Sequence, residues 1–426
     1  MEEAAAAMVA SLPDDVLLEI LFRLKDVPAV LFRCATACKR CRSLIVEPAF
    51  LRRCWPDQDA SSSFVGFFSQ ELLHTGSLPC FTPTPRSVLG PGRRALSSFM
   101  TAAPAGLFDR AVPLASRHSL LLVRLDSHTT PSYRNATILD LAICNLLTGA
   151  WHILPLLKVK LFGSDFDDES SWNCYAILTG KDCRSNEELV LPSNPSFFKV
   201  VIISPHRNDE MKCTLHTFSS DEASWRARTH CFDGIVQRLR NYGSSCRAVV
   251  HHGTAHWLFC NYGELCLSVL NLNMRTGYIS LTKVPFGIDG MYCYNRGHLF
   301  LTPAVNGVLS LLWMQKEGTQ LEIWEQQVKQ PNKDGGSEWV CTRTIDLKQL
   351  GKRENERREL FILGDKCGRL LVNDTSQNMY TVDIQTGMME AVVDWPRMGY
   401  IIPRETVPFE VEWPAIFASR LDNRYS

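Results

Sequence analysis

Residues Leu12–Leu24 read LPDDVLLEILFRL, and this stretch predicts an amphipathic helix near the start of the chain. Pro13 suits the first helical turn because it has no backbone N–H to leave unpaired. Asp14 and Asp15 lie where the positive end of the helix dipole stabilises acidic side chains. An apolar face recurs at helical spacing and consists of Val16, Leu17, Ile20, Leu21 and Leu24. The helix therefore needs a neighbour or a partner to cover this face.

Two further short apolar segments follow before residue 54, and Pro28 and Pro48 punctuate them. Three short helices fit this pattern and predict a small helical domain over residues 11–55. The segment 11–53 resembles the F-box, a helical module by which substrate receptors dock onto the Skp-type adaptor of a cullin–RING ubiquitin ligase. One departure is Cys41, where many members carry Trp. The residues that carry the resemblance are Leu12–Asp15, Leu17–Leu24, Cys34, Cys38, Arg42, Leu44, Ile45, Pro48 and Phe50.

The resemblance implies a docking surface on the first helix. Its predicted adaptor-binding residues are Leu12, Pro13, Val16, Leu17, Ile20, Leu21 and Leu24. The alternative is that this face packs only against its own domain. A short helical segment exposes more apolar surface than it can bury alone, so docking is the better interpretation.

The composition bounds the remaining possibilities. The chain has 426 residues with 45% hydrophobic content, enough for two or three domains. Lys plus Arg and Asp plus Glu each number 45, so no overall field attracts nucleic acid or an acidic membrane. The N-terminal segment MEEAAAAMVA is expected to be disordered over residues 1–10, and its apolar run is too short for a signal peptide. The expected location is the cytoplasm, the nucleus or both.

The sixteen cysteines are best interpreted as reduced thiols, since the chain is neither small nor recognisably secreted. Cys38 and Cys41 form a CxxC pair, with Cys34 before it and Cys54 after it, and zinc is the sharpest alternative. Cys34, Cys38 and Cys41 have the spacing of one helical face, which favours packing residues in an F-box core. We therefore predict no metal and no cofactor.

Basic residues cluster inside the F-box-like segment. They face only Glu47, and the cluster is either a solvated helix face or a surface that complements an acidic adaptor. Its members are Arg33, Lys39, Arg40, Arg42, Arg52 and Arg53.

The rest of the chain is predicted to be mostly β. Residues 56–113 are rich in Ser, Pro and Gly and predict a connector with the first strands, beginning at the apolar island Phe64–Phe68. Residues 114–420 alternate short apolar runs with turn residues and form the predicted target-binding domain, and 421–426 form a tail. The predicted fold class is an α+β multidomain protein, in which a small three-helix F-box precedes a mostly β domain.

Recurring local patterns predict a β-propeller of six to eight blades, with seven as the middle value. An Asn/Asp-x-x-Thr-Gly turn occurs at Asn145–Gly149, Asn273–Gly277 and Asp383–Gly387. A Gly also precedes apolar strands at Gly253, Gly297 and Gly368, and the first two are separated by about one four-stranded blade. A pair of β-sandwiches is the alternative. Together with the F-box-like segment, this pattern resembles plant F-box proteins with kelch-like or F-box-associated β domains.

Catalytic motifs are scarce. The segment HHGTAH (His251, His252, His256) lacks the Glu of a zinc-protease helix and is expected to lie in strands. Gly364–Arg369 is neither a P-loop nor a GxGxxG motif and predicts a hairpin turn. The acidic residues Asp165, Asp167, Asp168 and Glu169 lack EF-hand spacing and predict a solvated loop.

Two functional hypotheses follow. The first is a non-catalytic receptor subunit of a Skp/cullin/F-box (SCF) ubiquitin ligase, which binds the adaptor through the F-box and an unidentified target protein through the β domain. Loop residues are expected to carry target specificity, with Tyr242, Tyr262, Tyr292 and Tyr294 as candidates, and packing in the core is the alternative for each of them. The second is a propeller enzyme or carbohydrate-binding protein with an incidental helical cap. This alternative requires carboxylates or histidines at the mouth of a central channel.

Overall fold

The computed structural model describes most of the chain. The described residues are 12–25, 27–55, 63–69, 78–85, 87–125, 137–159, 174–180, 182, 197–205, 212–231, 239–241, 248–251, 253–261, 266–287, 299–303, 308–315, 320–327, 338–347, 359–393, 395 and 406–421. They form a small helical region followed by a ring of β-sheets.

The described part of residues 12–55 contains four helices where the sequence predicts three. Pro28 and Pro48 each occupy a first helical turn, as their missing N–H groups favour. Cys38 has an extended backbone (φ −138°, ψ 123°) and separates the second helix from the third. The helices are α1 (Asp14–Arg23), α2 (Pro28–Ala37), α3 (Lys39–Ile45) and α4 (Pro48–Cys54).

The described strands form seven sheets, and the six that have four or five strands each are the propeller blades. Blade 1 contains β1 (Phe64–Ser69), β2 (Cys80–Pro83) and β3 (Arg94–Ala95). Blade 2 contains β4 (Val112–Arg117), β5 (Leu120–Arg124), β7 (Leu141–Asn145) and β8 (Ala150–Ile153), while β6 (Thr137–Leu139) pairs with β9 (Leu157–Val159) beside it. Blade 3 contains β10 (Cys174–Thr179), β11 (Phe198–Pro205), β12 (Lys212–Ser219) and β13 (Ser224–Cys231).

The second half of the ring continues this order. Blade 4 contains, from its innermost strand outward, β15 (Val249–His251), β16 (Thr254–Asn261), β17 (Cys266–Asn273) and β18 (Ile279–Gly287), and the short strand β14 (Leu239–Asn241) also pairs with β16. Blade 5 contains β19 (Leu299–Pro303), β20 (Leu309–Met314), β21 (Gln320–Gln327) and β22 (Glu338–Asp346). Blade 6 contains β23 (Leu360–Lys366), β24 (Arg369–Asp374), β25 (Met379–Asp383) and β26 (Met389–Ala391). The mostly β domain is therefore a propeller of six blades, at the lower limit of the predicted range.

A strand from the end of the chain closes the ring. The strand β27 (Val407–Glu410) pairs with β1 and forms the innermost strand of blade 1. It contacts β4 on one side and β23 on the other, and the remaining innermost strands β10, β15 and β19 complete the circle. Closure therefore joins the two ends of the β domain in one sheet and leaves no edge between blades 6 and 2.

Turns of one type recur at one end of the ring. Neighbouring strands of a blade are antiparallel, so the turns from first to second and from third to fourth strand share an end. The three Asn/Asp-x-x-Thr-Gly segments join the third strand to the fourth in blades 2, 4 and 6. Gly149, Gly277 and Gly387 have φ of 71°, 68° and 68°, which glycine adopts without strain. The predicted hairpin turns are confirmed.

The glycine spacing used to predict blade length joins positions that are not equivalent. Gly253 and Gly368 lie between the first and second strands of blades 4 and 6. Gly297 lies outside the described residues and precedes β19, the first strand of blade 5. The interval from Gly253 to Gly297 is therefore not one repeat, although the blade number falls within the predicted range.

A fifth helix, α5 (Trp413–Leu421), lies in the range 114–420 that the sequence assigns to the β domain, and it extends one residue beyond that range. It directly follows β27 and packs against α2 and α4. The Phe417 ring lies 4.6 Å from Phe32 and 5.3 Å from Trp55, measured between ring centroids. Arg42 donates its Nε–H to the carbonyl of Leu421 at 2.7 Å and so satisfies the end of α5.

One hydrophobic core spans the helical region and the first two blades. Leu21, Leu31 and Ile45 of the helices belong to the same buried cluster as Phe68 of blade 1 and Leu121 of blade 2. Because apolar burial is the main driving force of folding, this shared core joins the helices firmly to the ring.

Candidate functional site

An apolar row on the outer surface of α1 is the first candidate site. Val16 is 41% exposed and Ile20 is 44% exposed, although both are large and aliphatic. Pro13 is exposed at the start of the helix, while Leu12 and Leu24 are half-buried at its two ends. We define Leu12, Pro13, Val16, Ile20 and Leu24 as the docking row. Exposed apolar side chains in a line indicate a surface that a partner covers.

Two of the predicted adaptor-binding residues, Leu17 and Leu21, are buried and do not belong to the docking row. Leu17 is 4% exposed and Leu21 is 2% exposed, and both belong to the core shared with the other helices. The single apolar face of the sequence is therefore two adjacent rows. Residues four apart share one line along a helix, whereas neighbours such as Val16 and Leu17 point about 100° apart.

Ion pairs hold the polar side of α1 against the other helices. Arg40 donates its Nε–H to Asp14 Oδ1 at 2.7 Å and its Nη2–H to the Leu12 carbonyl at 2.5 Å. Arg53 pairs with Glu19 at 2.6 Å, and its hydrogen bond is the main reason why the pKa of Glu19 is lowered. Three members of the predicted basic cluster, Arg40, Arg53 and Arg42, therefore make contacts within the chain.

The three cysteines Cys34, Cys38 and Cys41 do not share one helical face. Cys34 lies on α2, Cys41 on α3 and Cys54 on α4, and Cys38 lies in the break between α2 and α3. Cys41 and Cys54 are buried, whereas Cys34 and Cys38 are half-buried. The predicted single helical face is wrong because the extended backbone of Cys38 interrupts the helix. Within the described residues, no group of three or more His, Cys, Asp or Glu is arranged to hold a metal ion.

The second candidate site is a group of charged residues at one mouth of the central channel. It consists of Arg117, His118, Asp182, Asp365, Lys366, Cys367 and Glu410, and we name it the channel-mouth cluster. The innermost strands β4, β23 and β27 end in Arg117, Lys366 and Glu410. Because α5 follows β27, this mouth is at the same end of the ring as α5.

Contacts within the cluster link neighbouring blades. Lys366 Nζ lies 3.2 Å from Glu410 Oε1 and donates to the Ser116 carbonyl at 3.2 Å. The backbone N–H of His118 donates to the same Glu410 oxygen at 3.2 Å. These contacts tie blades 6, 1 and 2 together at the strand that closes the ring.

The cluster continues into blades 3 and 5. Arg117 Nη2 lies 2.6 Å from Asp182 Oδ1, and the backbone N–H of Thr179 donates to Asp182 Oδ2 at 3.0 Å. The Thr302 hydroxyl donates to Asp365 Oδ2 at 2.5 Å, which joins blade 5 to blade 6. The described contacts of the cluster therefore reach five of the six blades.

Burial and charge shift the pKa values of the two channel-lining acids, Asp365 and Glu410, in opposite directions. Burial raises the pKa of Asp365 to about 6, more than the Thr302 hydrogen bond and the charge of Lys366 lower it. Burial also raises the pKa of Glu410, but Lys366 and the other positive groups outweigh it and hold that pKa well below its usual range. Burial, together with the Glu410 charge, raises the pKa of Cys367 well above its ordinary value.

Strained backbone marks the turn between β4 and β5. His118 and Ser119 have φ of 45° and 70°, which side chains other than glycine rarely adopt. The Ser119 N–H donates to the Glu410 carbonyl at 3.1 Å, and the Ser119 hydroxyl accepts from the Glu412 N–H at 2.9 Å. The closing strand therefore holds this turn in place.

The channel itself is narrow. The cavity has a volume of about 110 Å³ and is lined by residues from all six blades. Among the described residues this cavity is smaller than sites for drug-sized ligands, which measure roughly 300–1,000 Å³. The carboxylates and the histidine that the enzyme alternative requires are present at the mouth, but Asp182 and Glu410 are engaged in ion pairs.

Other predicted features have varied outcomes. Gly364–Arg369 forms the turn between β23 and β24, with φ of 55° at Cys367 and 73° at Gly368, so the predicted hairpin is confirmed. His251 and His256 lie in strands, and His256 Nδ1 contacts Asn271 Oδ1 at 2.7 Å. The acidic residues Asp165, Asp167, Asp168 and Glu169, the tyrosines Tyr242, Tyr262, Tyr292 and Tyr294, and His252 lie outside the described residues.

Comparison with known protein families supports the F-box prediction for the helical region. The model of the F-box domain family matches residues 10–53. The chain carries an F-box domain. No curated protein matches the chain. Among the described residues, no helix is long and apolar enough to cross a membrane.

The chain shows low similarity to several solved structures. The β-propeller domain of the Trilobed protease from Pyrococcus furiosus is 10% identical, with 77% of this chain and 83% of that chain covered and a TM-score of 0.32. A protein from Lactobacillus plantarum is 12% identical over 82% and 98%, with a TM-score of 0.36. The α-L-arabinanase of Penicillium chrysogenum is 8% identical over 66% and 80%, with a TM-score of 0.35. Similarities at this level support no conclusion about function.

Sequence reasoning missed the channel-mouth cluster because its members are far apart along the chain. Arg117, Asp182, Asp365 and Glu410 come from four different blades and lie far apart along the chain. One local signal existed. The strand β23 carries Asp365 and Lys366 at its end, beside its turn, and consecutive charges in an otherwise apolar strand need nearby partners.

Proposed function

We propose that the chain is the substrate-recognition subunit of an SCF ubiquitin ligase. Its F-box domain binds a Skp-type adaptor of a cullin–RING ligase, and its propeller binds a target protein that is then ubiquitinated. The observation that carries the proposal is the docking row. Its members Val16 and Ile20 are exposed and lie within the segment that matches the F-box family.

The proposed role is non-catalytic. The receptor holds its target near a charged ubiquitin-conjugating enzyme, so it accelerates transfer by raising the effective concentration. The rigid attachment of the F-box through α5 supports this role, because Phe417 packs between Phe32 and Trp55 at the junction. A fixed distance between adaptor and target makes transfer more efficient than a flexible linker does.

Exposed basic residues of the F-box domain support the same docking. Arg33, Lys39 and Arg52 are exposed members of the basic cluster. We propose that these side chains face an acidic adaptor surface and increase the rate of association. We also place the protein in the cytoplasm or nucleus, where reduced cysteines are the rule.

The docking row provides the test. The double variant Val16→Asp/Ile20→Asp is expected to lose co-purification of the full-length chain with a Skp-type adaptor, because two charges cannot be desolvated in an apolar interface. Val393→Asp is the matched control, since Val393 is 89% exposed on the propeller. Leu17→Asp is unsuitable because Leu17 is buried and the variant would unfold the domain. Adaptor binding that survives the double variant contradicts the proposal.

The enzyme alternative rests on the channel-mouth cluster. Its carboxylates are engaged in contacts between blades, and the cavity of about 110 Å³ among the described residues is smaller than sites for drug-sized ligands. We infer that the cluster stabilises the closed ring.

A further inference from the structure

The central cavity is charged at one end and apolar toward the other. Asp365 and Glu410 line it at the channel mouth, near the ends of β23 and β27. Phe300 and Pro408 also line it, and they are the second residues of β19 and β27, which both run toward that mouth. These two apolar side chains therefore lie further along the channel. Such a cavity suits a ligand that has one charged end and an apolar stem.

Asp365 lines this cavity without a cation of its own. It accepts a hydrogen bond from the Thr302 hydroxyl at 2.5 Å, but it forms no ion pair with any described residue. Successive residues of a strand point to opposite sides, so Asp365 faces blade 5 while Lys366 faces blade 1. Lys366 there contacts Glu410 and donates to the Ser116 carbonyl, each at 3.2 Å. Asp365 is therefore a half-buried carboxylate whose second oxygen is open to the cavity.

The channel-mouth cluster carries one more negative charge than positive charge. Two ion pairs, Arg117 with Asp182 and Lys366 with Glu410, account for both of its permanent cations. His118 adds no charge at neutral pH, because burial and the neighbouring Arg117 lower its pKa. The third carboxylate therefore stays uncompensated among the described residues. An uncompensated negative charge beside a cavity attracts a cation.

The titration of Asp365 agrees with this account. Burial raises its pKa to about 6, so the carboxylate is ionised at neutral pH although the fold favours the neutral acid. A role in holding the ring together does not require this charge, since a neutral side chain can also accept from Thr302. An ionised, unpaired carboxylate in a cavity is a candidate functional group.

The surroundings favour an organic cation over a metal ion. Within the described part of the chain, no group of three or more His, Cys, Asp or Glu is arranged to hold a metal. An ammonium group needs fewer ligands, because it donates up to three hydrogen bonds. Its hydrocarbon stem can pack against Phe300 and Pro408 while the charged end reaches the carboxylate. The cavity of about 110 Å³ is smaller than sites for drug-sized ligands, so the stem must be short.

We propose that the central channel binds a primary alkylammonium group, with its nitrogen at Asp365 and its alkyl stem along Phe300 and Pro408. The ammonium donates to Asp365 Oδ1, since Thr302 occupies Oδ2. Lysine side chains and free alkylamines both carry this group. The site is independent of the docking row, so it does not require that the F-box binds an adaptor.

Butylammonium chloride is the probe for this site. The full-length protein is titrated with it at neutral pH, and binding is followed by saturation-transfer NMR. We expect saturable binding to the wild type and at least about tenfold weaker binding to Asp365→Asn, which loses the charge and keeps an acceptor for Thr302. Asp221→Asn is the matched control, because Asp221 is exposed on the turn between β12 and β13. It should bind like the wild type.

A second comparison uses the wild type alone and so does not depend on the folding of a variant. n-Butanol has the same alkyl stem without the charge, and it should bind at least about tenfold more weakly than butylammonium. Equal affinity for the two probes would overturn the proposal. The same holds for equal affinity of the wild type and Asp365→Asn, and for a wild type that shows no saturable binding.

A lysine derivative distinguishes the two sources of the ammonium group. Nα-acetyl-lysine N-methylamide presents the same group on a peptide backbone. If it binds at least as tightly as butylammonium, the channel accepts a lysine side chain of a protein. If only butylammonium binds, the channel accepts a free amine. Acetylation of the side-chain nitrogen should abolish binding of the lysine derivative, and equal binding of the acetylated form would overturn the role of charge.

Discussion

At the scale of single residues, Asp365 and Glu410 respond to pH in opposite ways. Burial raises the pKa of Asp365 from 3.8 to about 6, so the folded state retains a proton that the unfolded chain releases. The stabilisation from this proton is complete below pH 3.8 and is lost as the pH rises through about 6. Asp365→Asn keeps a neutral acceptor for Thr302. It should raise the free energy of unfolding by about 1–2 kcal/mol at pH 8 and by less at pH 5, measured by urea denaturation.

Glu410→Gln is expected to lower the free energy of unfolding, opposite to Asp365→Asn. The pKa of Glu410 is held below 4.5, so the carboxylate stabilises the fold above that pH and less as the pH falls below it. Removing its charge leaves Lys366 buried without its ion pair, which should cost about 3 kcal/mol at pH 7.

The Asp365→Asn prediction is contradicted by the opposite result. A destabilised Asp365→Asn variant at pH 8 would show that the ionised Asp365 supports the fold.

At the scale of elements, the same turn geometry occurs in four blades, although the residues of the turn differ. The turn Ser219–Ala223 of blade 3 has the same backbone hydrogen bond as the turns of blades 2, 4 and 6, from the N–H of its fifth residue to the carbonyl of its first. Ala223 has φ of 51°, where the other three turns have glycine. The sequence pattern misses this turn because all three of its marker positions differ, with Ser219, Glu222 and Ala223 in place of Asn or Asp, Thr and Gly.

The glycine position of these turns supports a paired prediction. Ala223→Gly should stabilise the propeller by about 0.5–1 kcal/mol, because it relieves a left-handed alanine at an exposed site. Gly387→Ala should destabilise it by more than about 1 kcal/mol, since a Cβ there would lie 2.5 Å from the Asp346 carbonyl oxygen. Melting temperatures of the two variants give the comparison. If both changes had the same sign, positive φ would not govern these turns.

At the scale of the whole molecule, one C-terminal segment closes the ring and anchors the F-box. Phe417→Ala should cost about 3–5 kcal/mol at the junction, because Phe417 is fully buried against Phe32 and Trp55. We expect faster hydrogen exchange in α2 and α4, with β27 and the blades still protected.

A matched substitution in the propeller serves as the control for this prediction. Phe67→Ala removes an equally buried ring that contacts Trp395 at 5.5 Å, between blades 1 and 6. It should accelerate exchange in those blades and leave the F-box helices protected. If Phe417→Ala left α2 and α4 as protected as in the wild type, α5 would not be the anchor.

Local signals in the sequence predict the helices and turns well. Pro13, Pro28 and Pro48 mark helix starts because proline has a fixed φ and no N–H to lose. Asn145 and Asp383 mark turns because their side chains bond their own backbone. The helix α5 was missed because its apolar pattern is short and follows a strand directly.

The sequence by itself determined the F-box segment, the β character of the larger domain and the turns that divide it, because these depend on neighbouring residues. Only the tertiary structure decided that six blades close through β27, that Leu17 and Leu21 turn inward while Val16 and Ile20 remain exposed, and that charges from distant strands meet at the channel mouth. The physical reason is that burial and ion pairing depend on contacts between residues far apart along the chain, which no local pattern encodes.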